Sequence, residues 1–216
     1  MKRLMITFAA MLLLVSPAMG ADLAVGLRYE PTTAALPTLG ALSIAKMLRP
    51  VKIQPFSDNR SRGETFLGEL RIDGRQQTIQ STTAVAPFAT EAFRKVYGEW
   101  GGKESVDSPL FLKGEITQFS LEESEGYQAK VAFHFFLTEE SGKILWDGHS
   151  SGLVKGSGRM LTLDSLPGVF SDILRDTYSE LLNDEKLVGV WTGKVPSTYY
   201  IKVPATQTPL SAKSGR

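Results

Sequence analysis

The sequence predicts an α+β fold: a two-layer sandwich in which two amphipathic helices pack on a mostly antiparallel sheet containing a three-strand meander. Three observations predict it. Two segments, 82–100 and 165–183, carry apolar residues at three- and four-residue steps. The stretch between them, 110–155, breaks into three runs of strand-like alternation. The two turns separating those runs are polar, and both end in glycine.

The chain opens on a segment with the three-part form of a secretory signal. Lys2 and Arg3 precede an apolar run from Leu4 to Val15, and Ser16 to Ala21 supply a cleavage region in which Ala18 and Gly20 are small. About a dozen apolar residues fall short of the roughly 20 that a spanning helix needs, so cleavage after Gly20 is expected. No later segment is long and apolar enough to span a bilayer as a helix, so no transmembrane span is expected after signal removal. Residues 21–50 then read as an N-terminal strand near Leu23 to Tyr29, an irregular Pro31 to Pro37 connection and a helical turn near Leu42 to Leu48. A single α+β domain is expected over 51–193, and residues 194–216, rich in Pro, Ser and Thr, read as a mobile tail without a core.

Within the domain, Val51 to Phe56 alternates apolar and polar before the turn formers Ser57, Asp58 and Asn59, which reads as a strand ending in a loop. Phe66 to Ile72 and Gln76 to Ser81 flank Asp73-Gly74, a dipeptide suited to a tight hairpin. In the first helix Phe88, Ala92, Phe93, Val96, Tyr97 and Trp100 line one face, with Pro87 in the first turn and Gly101-Gly102 as the stop. In the middle strand Tyr127, Ala129, Val131, Phe133, Phe135 and Leu137 share the face expected to be buried, leaving His134 and Phe136 on the other. The third run is expected to end in a polar turn at Gly156-Ser157-Gly158. The last helix carries Val169, Phe170, Ile173, Leu174, Tyr178 and Leu181 on one stripe, with Pro167 marking its start.

Composition excludes several functions. The 24 basic and 23 acidic residues cancel to a net charge of +1, and loss of the leader leaves 22 against 23, so no global field would attract nucleic acid. With no cysteine there is no disulfide, thiolate metal site, cysteine nucleophile or lipidated cysteine. His134 and His149 lie on adjacent expected strands, where hairpin register decides whether they share a face. No Cys or HxH spacing completes a site, so the reading is two solvated or locally hydrogen-bonded histidines and no metal or other cofactor. Gly156 to Gly158 lacks both phosphate-loop patterns. Glu122, Glu123 and Glu125 read as a solvated hairpin tip. Asp58, Asn59 and Arg60, just after a strand, favour a structural role, capping the loop and holding it to neighbouring backbone through charged hydrogen bonds; the functional alternative is a partner-binding loop of Asp58, Arg60 and Arg62 in which the arginines meet an acidic or phosphate-bearing partner.

Val51 to Arg60 (VKIQPFSDNR), followed by Phe66-Leu67-Gly68, resembles the strand, Asp-x-Arg loop and Ile-Gly segment of the YajG-type bacterial envelope lipoproteins. The first helix, the strand Leu112 to Phe119, the run Gly142 to Gly148 and the final helix follow in the same order, so the resemblance covers about Leu23 to Val190. It implies a compact periplasm-facing α+β domain, and the family supplies no assigned catalytic residues to carry over. Where such proteins carry the lipidated cysteine this chain has Ala21, so membrane association would come through a partner protein or surface contact and not an acyl chain. The expected function is a non-enzymatic periplasmic binding or accessory protein whose partner is an envelope protein or a lipid-bearing component, with peripheral placement at the outer membrane left open. The alternative is a periplasmic small-ligand-binding or hydrolytic protein with a pocket near Arg60 and Gly156. Signal cleavage is directly checkable: the intact mass of the exported protein should correspond to a chain beginning at Ala21, and an unprocessed chain in the cytosol would overturn the reading.

Overall fold

The computed structural model describes residues 22–32, 39–72, 75–123, 126–157 and 162–194. The leader, most of the Pro31 to Pro37 connection, the Asp73-Gly74 turn, Glu125, Gly158 and the tail beyond Lys194 lie outside the described residues. The elements run β1 (Leu23–Val25), α1 (Leu39–Met47), β2 (Lys52–Ile53), β3 (Ser57–Asp58), β4 (Phe66–Ile72), β5 (Arg75–Ser81), α2 (Val85–Glu99), β6 (Leu110–Glu123), β7 (Gly126–Glu139), β8 (Ile144–Ser157), α3 (Leu166–Leu182) and α4 (Glu185–Thr192). The protein is therefore α+β, and no described helix is long and apolar enough to cross a membrane.

The strands form one sheet in the order β1-β5-β4-β6-β7-β8, with β2 and β3 pairing with β6. It is mixed: its long ladders are antiparallel, as expected, and short parallel pairings are added to them. β4–β5, β6–β7 and β7–β8 are antiparallel, but β1 lies parallel to β5, and β2, β3 and β4 all lie parallel to β6. Parallel neighbours need a long connection, and here the chain between β4 and β6 runs through β5 and α2, so β6 re-enters the sheet beside β4 in the direction of β4 and opposite to β5.

The expected strand from Val51 to Phe56 is split. Pro55 has no N–H to give to a ladder, and the chain pairs with β6 on either side of it, at Lys52–Ile53 and again at Ser57–Asp58. Asp58, expected in a loop, is thus the last residue of β3. At the other end of the sheet β8 continues through Gly156 and Ser157, so these two residues belong to a strand and not to a turn.

Four α-helices stand among the described residues where two were expected. α1 takes up the helical turn near Leu42 and adds to it. α4 is a separate helix, capped by Asp184, whose carboxylate accepts from the Lys186 and Leu187 amides at 2.8 and 3.0 Å, and stopped by Gly193 in the left-handed conformation. Pro167 lies in the first turn of α3, where a missing N–H is harmless.

The core lies between the helices and one face of β6–β8. Ala129, Val131, Phe133, Phe135 and Leu137 are buried, as their period of two requires, whereas Tyr127 at the strand start is half-buried. Phe93 of α2 packs on Phe135 at 5.4 Å and edge-on to Tyr178 of α3 at 5.3 Å. Phe170 stacks on Phe119 at 4.3 Å. Tyr97 stacks on Trp191 of α4 at 5.8 Å. α3 can lie this close to β8 because Gly152 has no side chain: a Cβ there would stand 2.5 Å from the Ile173 carbonyl oxygen. Leu174 is fully buried on α3. Leu174→Asp would bury an unpaired carboxylate and should abolish cooperative thermal melting, while Leu174→Ala should cost about 2–5 kcal/mol in denaturant titration.

Candidate functional site

β6 is 14 residues long, and the edge it turns away from β7 is covered in three pieces. β2 pairs at Phe111–Leu112, β3 at Glu115–Ile116 and β4 at Leu121–Glu122. Between the second and third pieces no strand accompanies residues 117–120, and the register with β7 shifts between Ile116 and Gln118. Backbone polar groups in such a gap need partners, because an unpaired buried carbonyl costs free energy comparable to a lost hydrogen bond.

Arg60 supplies them. Its Nη1 donates to the carbonyls of Phe119 on β6 and Phe66 on β4, at 3.0 and 2.6 Å. Nε and Nη2 form a two-pronged pair with the Asp58 carboxylate at 2.8 and 2.7 Å, and Nη2 also donates to the Glu64 carbonyl at 3.1 Å. All five guanidinium hydrogens are engaged, in a fork that lysine could not reproduce. The Arg60 amide closes the turn onto Asp58 at 3.1 Å, and the Asn59 amide donates to Ile116. Both charged side chains are buried, Arg60 at 6% and Asp58 at 8% exposure. Burial alone would raise the Asp58 carboxyl, but the hydrogen bonds from Arg60, together with its charge, hold it below the usual carboxylate range.

Over this joint lies an open cleft of about 420 Å³ between β4, β6 and the 60–62 loop. Gly68 allows the two strands to meet at its inner end, since a Cβ there would fall 1.9 Å from the Leu121 carbonyl oxygen. The lining is polar and mixed in sign. Arg62 is 62% exposed, lies over the Phe66 ring at 4.7 Å and reaches Glu69 at 3.4 Å. Gln76 donates to the other oxygen of Glu69. Gln118, Ser120 and Glu122 form the opposite wall.

The structure thus divides the three residues singled out in the sequence. Asp58 and Arg60 face inward and join the sheet, whereas Arg62 alone presents its charge at the cleft. Gly156 is not in this cleft: it pairs with Tyr127, on the far side of β7 from β6. Glu122, read as part of a solvated tip, lines the cleft, and Glu69, Gln76 and Gln118 carried no signal in the sequence. Their neighbourhood depends on parallel pairing across a crossover, which no local pattern encodes.

No protein-family model matches the chain. No curated protein matches it either. Solved structures do. Protein XCC0632 from Xanthomonas campestris, of family DUF330, superposes with a TM-score of 0.54 at 12% identity, over 81% of this chain and 100% of that one. Lipoprotein GNA1162 from Neisseria meningitidis gives 0.32 at 12% identity, over 56% and 94% of the two chains. A minor lipoprotein from Acinetobacter baumannii gives 0.31 at 7%, over 49% and 82%. At these identities the first likeness shows a shared fold.

Arg60→Ala would strand a buried carboxylate and two carbonyls. It should lower stability by about 3–5 kcal/mol in urea titration, and Arg60→Lys should recover little of that loss. Because the folded Asp58 carboxyl titrates below its unfolded value, its contribution is complete above about pH 4 and is lost as pH falls through the folded pKa. The unfolding free energy of Asp58→Asn, measured by urea titration, should therefore depend less steeply on pH below about 4 than that of the native chain.

Proposed function

We propose that this protein is a non-enzymatic accessory module of the bacterial envelope, of the YajG-like kind, which works in the periplasm and binds another envelope component through the cleft at Arg62. The observation that carries this reading is the division of labour between the two arginines. One has every donor engaged inside the fold, while the other lies at the mouth of an open cleft with most of its surface in water.

Other features support the same reading. α2, α3 and α4 pack on one face of β6–β8. The opposite face carries the exposed residues Lys113, Asp147, His149, Ser151 and Leu153. The leader-like first 20 residues support export. Glu69 and Glu122 line the same cleft as Arg62, so it offers both signs of charge together with amide and hydroxyl groups. That mixture suits the backbone and side chains of a polypeptide better than a polyanion, and a protein partner is the reading it favours.

A photo-crosslinking residue placed at Arg62 or Gln118 in cells should give the same discrete adduct, and one at Glu140, in the distant β7–β8 turn, should not. Adducts at Glu140 alone, or none under conditions that capture known envelope complexes, would count against the cleft as the binding site.

A further inference from the structure

Register settles what the sequence left open about the two histidines. His134 on β7 and His149 on β8 are directly opposed, on the face of the sheet away from the helices. Their rings stack at 4.3 Å with planes 21° apart. Asp147 stands two residues before His149 on β8 and so shares its face, and its Oδ2 lies 3.4 Å from His134 Nε2. From the other side Glu115 of β6 is opposite His134, but its carboxylate accepts from Asn59 Nδ2 at 2.9 Å. Phe136, with its ring 4.2 Å from that of His134, gives the group an apolar flank.

Among the described residues no three metal-ligating side chains already converge on one point. The His134–Asp147 separation is nevertheless the one a tetrahedral ion requires: two donor atoms about 2.1 Å from zinc and about 109° apart stand about 3.4 Å from each other. A third donor, His149, lies against the same ring, is exposed, and can be brought in by rotation of its own side chain. Directly opposed residues on neighbouring strands hold their Cβ atoms about 5 Å apart, so the backbone fixes both imidazoles within reach of one ion. Two imidazoles and a carboxylate, with water in the fourth position, are the ligand types that favour borderline divalent ions over magnesium or calcium.

We propose that His134, His149 and Asp147 form a surface site for a divalent transition-metal ion of the zinc class. The site lies on β7 and β8, apart from the Arg62 cleft, and is independent of the function proposed there.

The test uses the untagged exported protein, because an affinity tag of histidines would compete. Calorimetric titration with zinc chloride at pH 7.5 should show one ion per chain, and proton NMR should show both imidazoles shifting in step with that binding. His149→Gln or Asp147→Asn should weaken binding tenfold or more, and the double variant His134→Gln/His149→Gln should abolish it. All three substitutions are on the open sheet face, and their thermal melts should match the native chain. Absence of saturable zinc binding in the native protein would overturn the proposal. So would binding that persists unchanged in the double variant, or that leaves the imidazole resonances unmoved.

Discussion

The fold rests on burial of one layer of aromatic side chains between the sheet and the helices. Phe133 and Phe135 project from the same face of β7, Phe56 and Phe93 close over them from two other parts of the chain, and Tyr178 packs edge-on to Phe93. Mostly edge-on contacts of this kind each add about 0.5–1.5 kcal/mol beyond the area they remove from water. A layer built this way has one geometric requirement: helix and sheet must come close enough for the rings to interlock. That requirement explains the places where side chains are absent. Gly152 lets α3 approach β8, and Gly114 leaves space for the Phe56 ring, which a Cβ would meet at 2.9 Å.

The same requirement creates a difficulty at the edge of β6. Phe119 must face inward to stack on Phe170, yet the chain that would cover its backbone has been drawn into the 59–65 loop. A charged fork is an unusual way to fill a sheet gap, because burying a guanidinium and a carboxylate is favourable only when every hydrogen and lone pair finds good geometry. Here it does, since the planar fork meets Asp58 on one side and two strand carbonyls on the other. The pair explains why the segment after β3 is ordered without being a strand, and it fixes the position from which Arg62 emerges.

The outer face of the sheet follows a different logic. With the helices drawn to the aromatic side, the alternate residues of β6, β7 and β8 have no layer over them, and they are polar or small at most positions. Cross-strand pairing then arranges them in rows, and the row through Glu115, His134 and His149 is a consequence of register alone. Neither histidine stands near the other in the sequence, and no motif joins them. The cleft has a similar origin, because its two walls belong to strands that become neighbours only through the α2 crossover.

What the sequence by itself determined is everything that depends on local periodicity. The bounds of α2 and α3, the inward face of β7, the pairing of β4 with β5 and the glycine stop after α2 were all legible, because each is written in residues a few positions apart. α4 was not read from the sequence, because its short apolar stripe follows directly on the longer helix before it. Tertiary structure alone decided the parallel pairing of β2, β3 and β4, the inward turn of Arg60 and the exposure of Arg62. Two arginines in one loop look alike until the backbone carbonyls that need donors are in place. Those carbonyls come from strands up to 59 positions away, at Phe119. Short-range pattern specifies which face of an element seeks the core, but only the assembled sheet specifies which polar groups the core leaves without a partner.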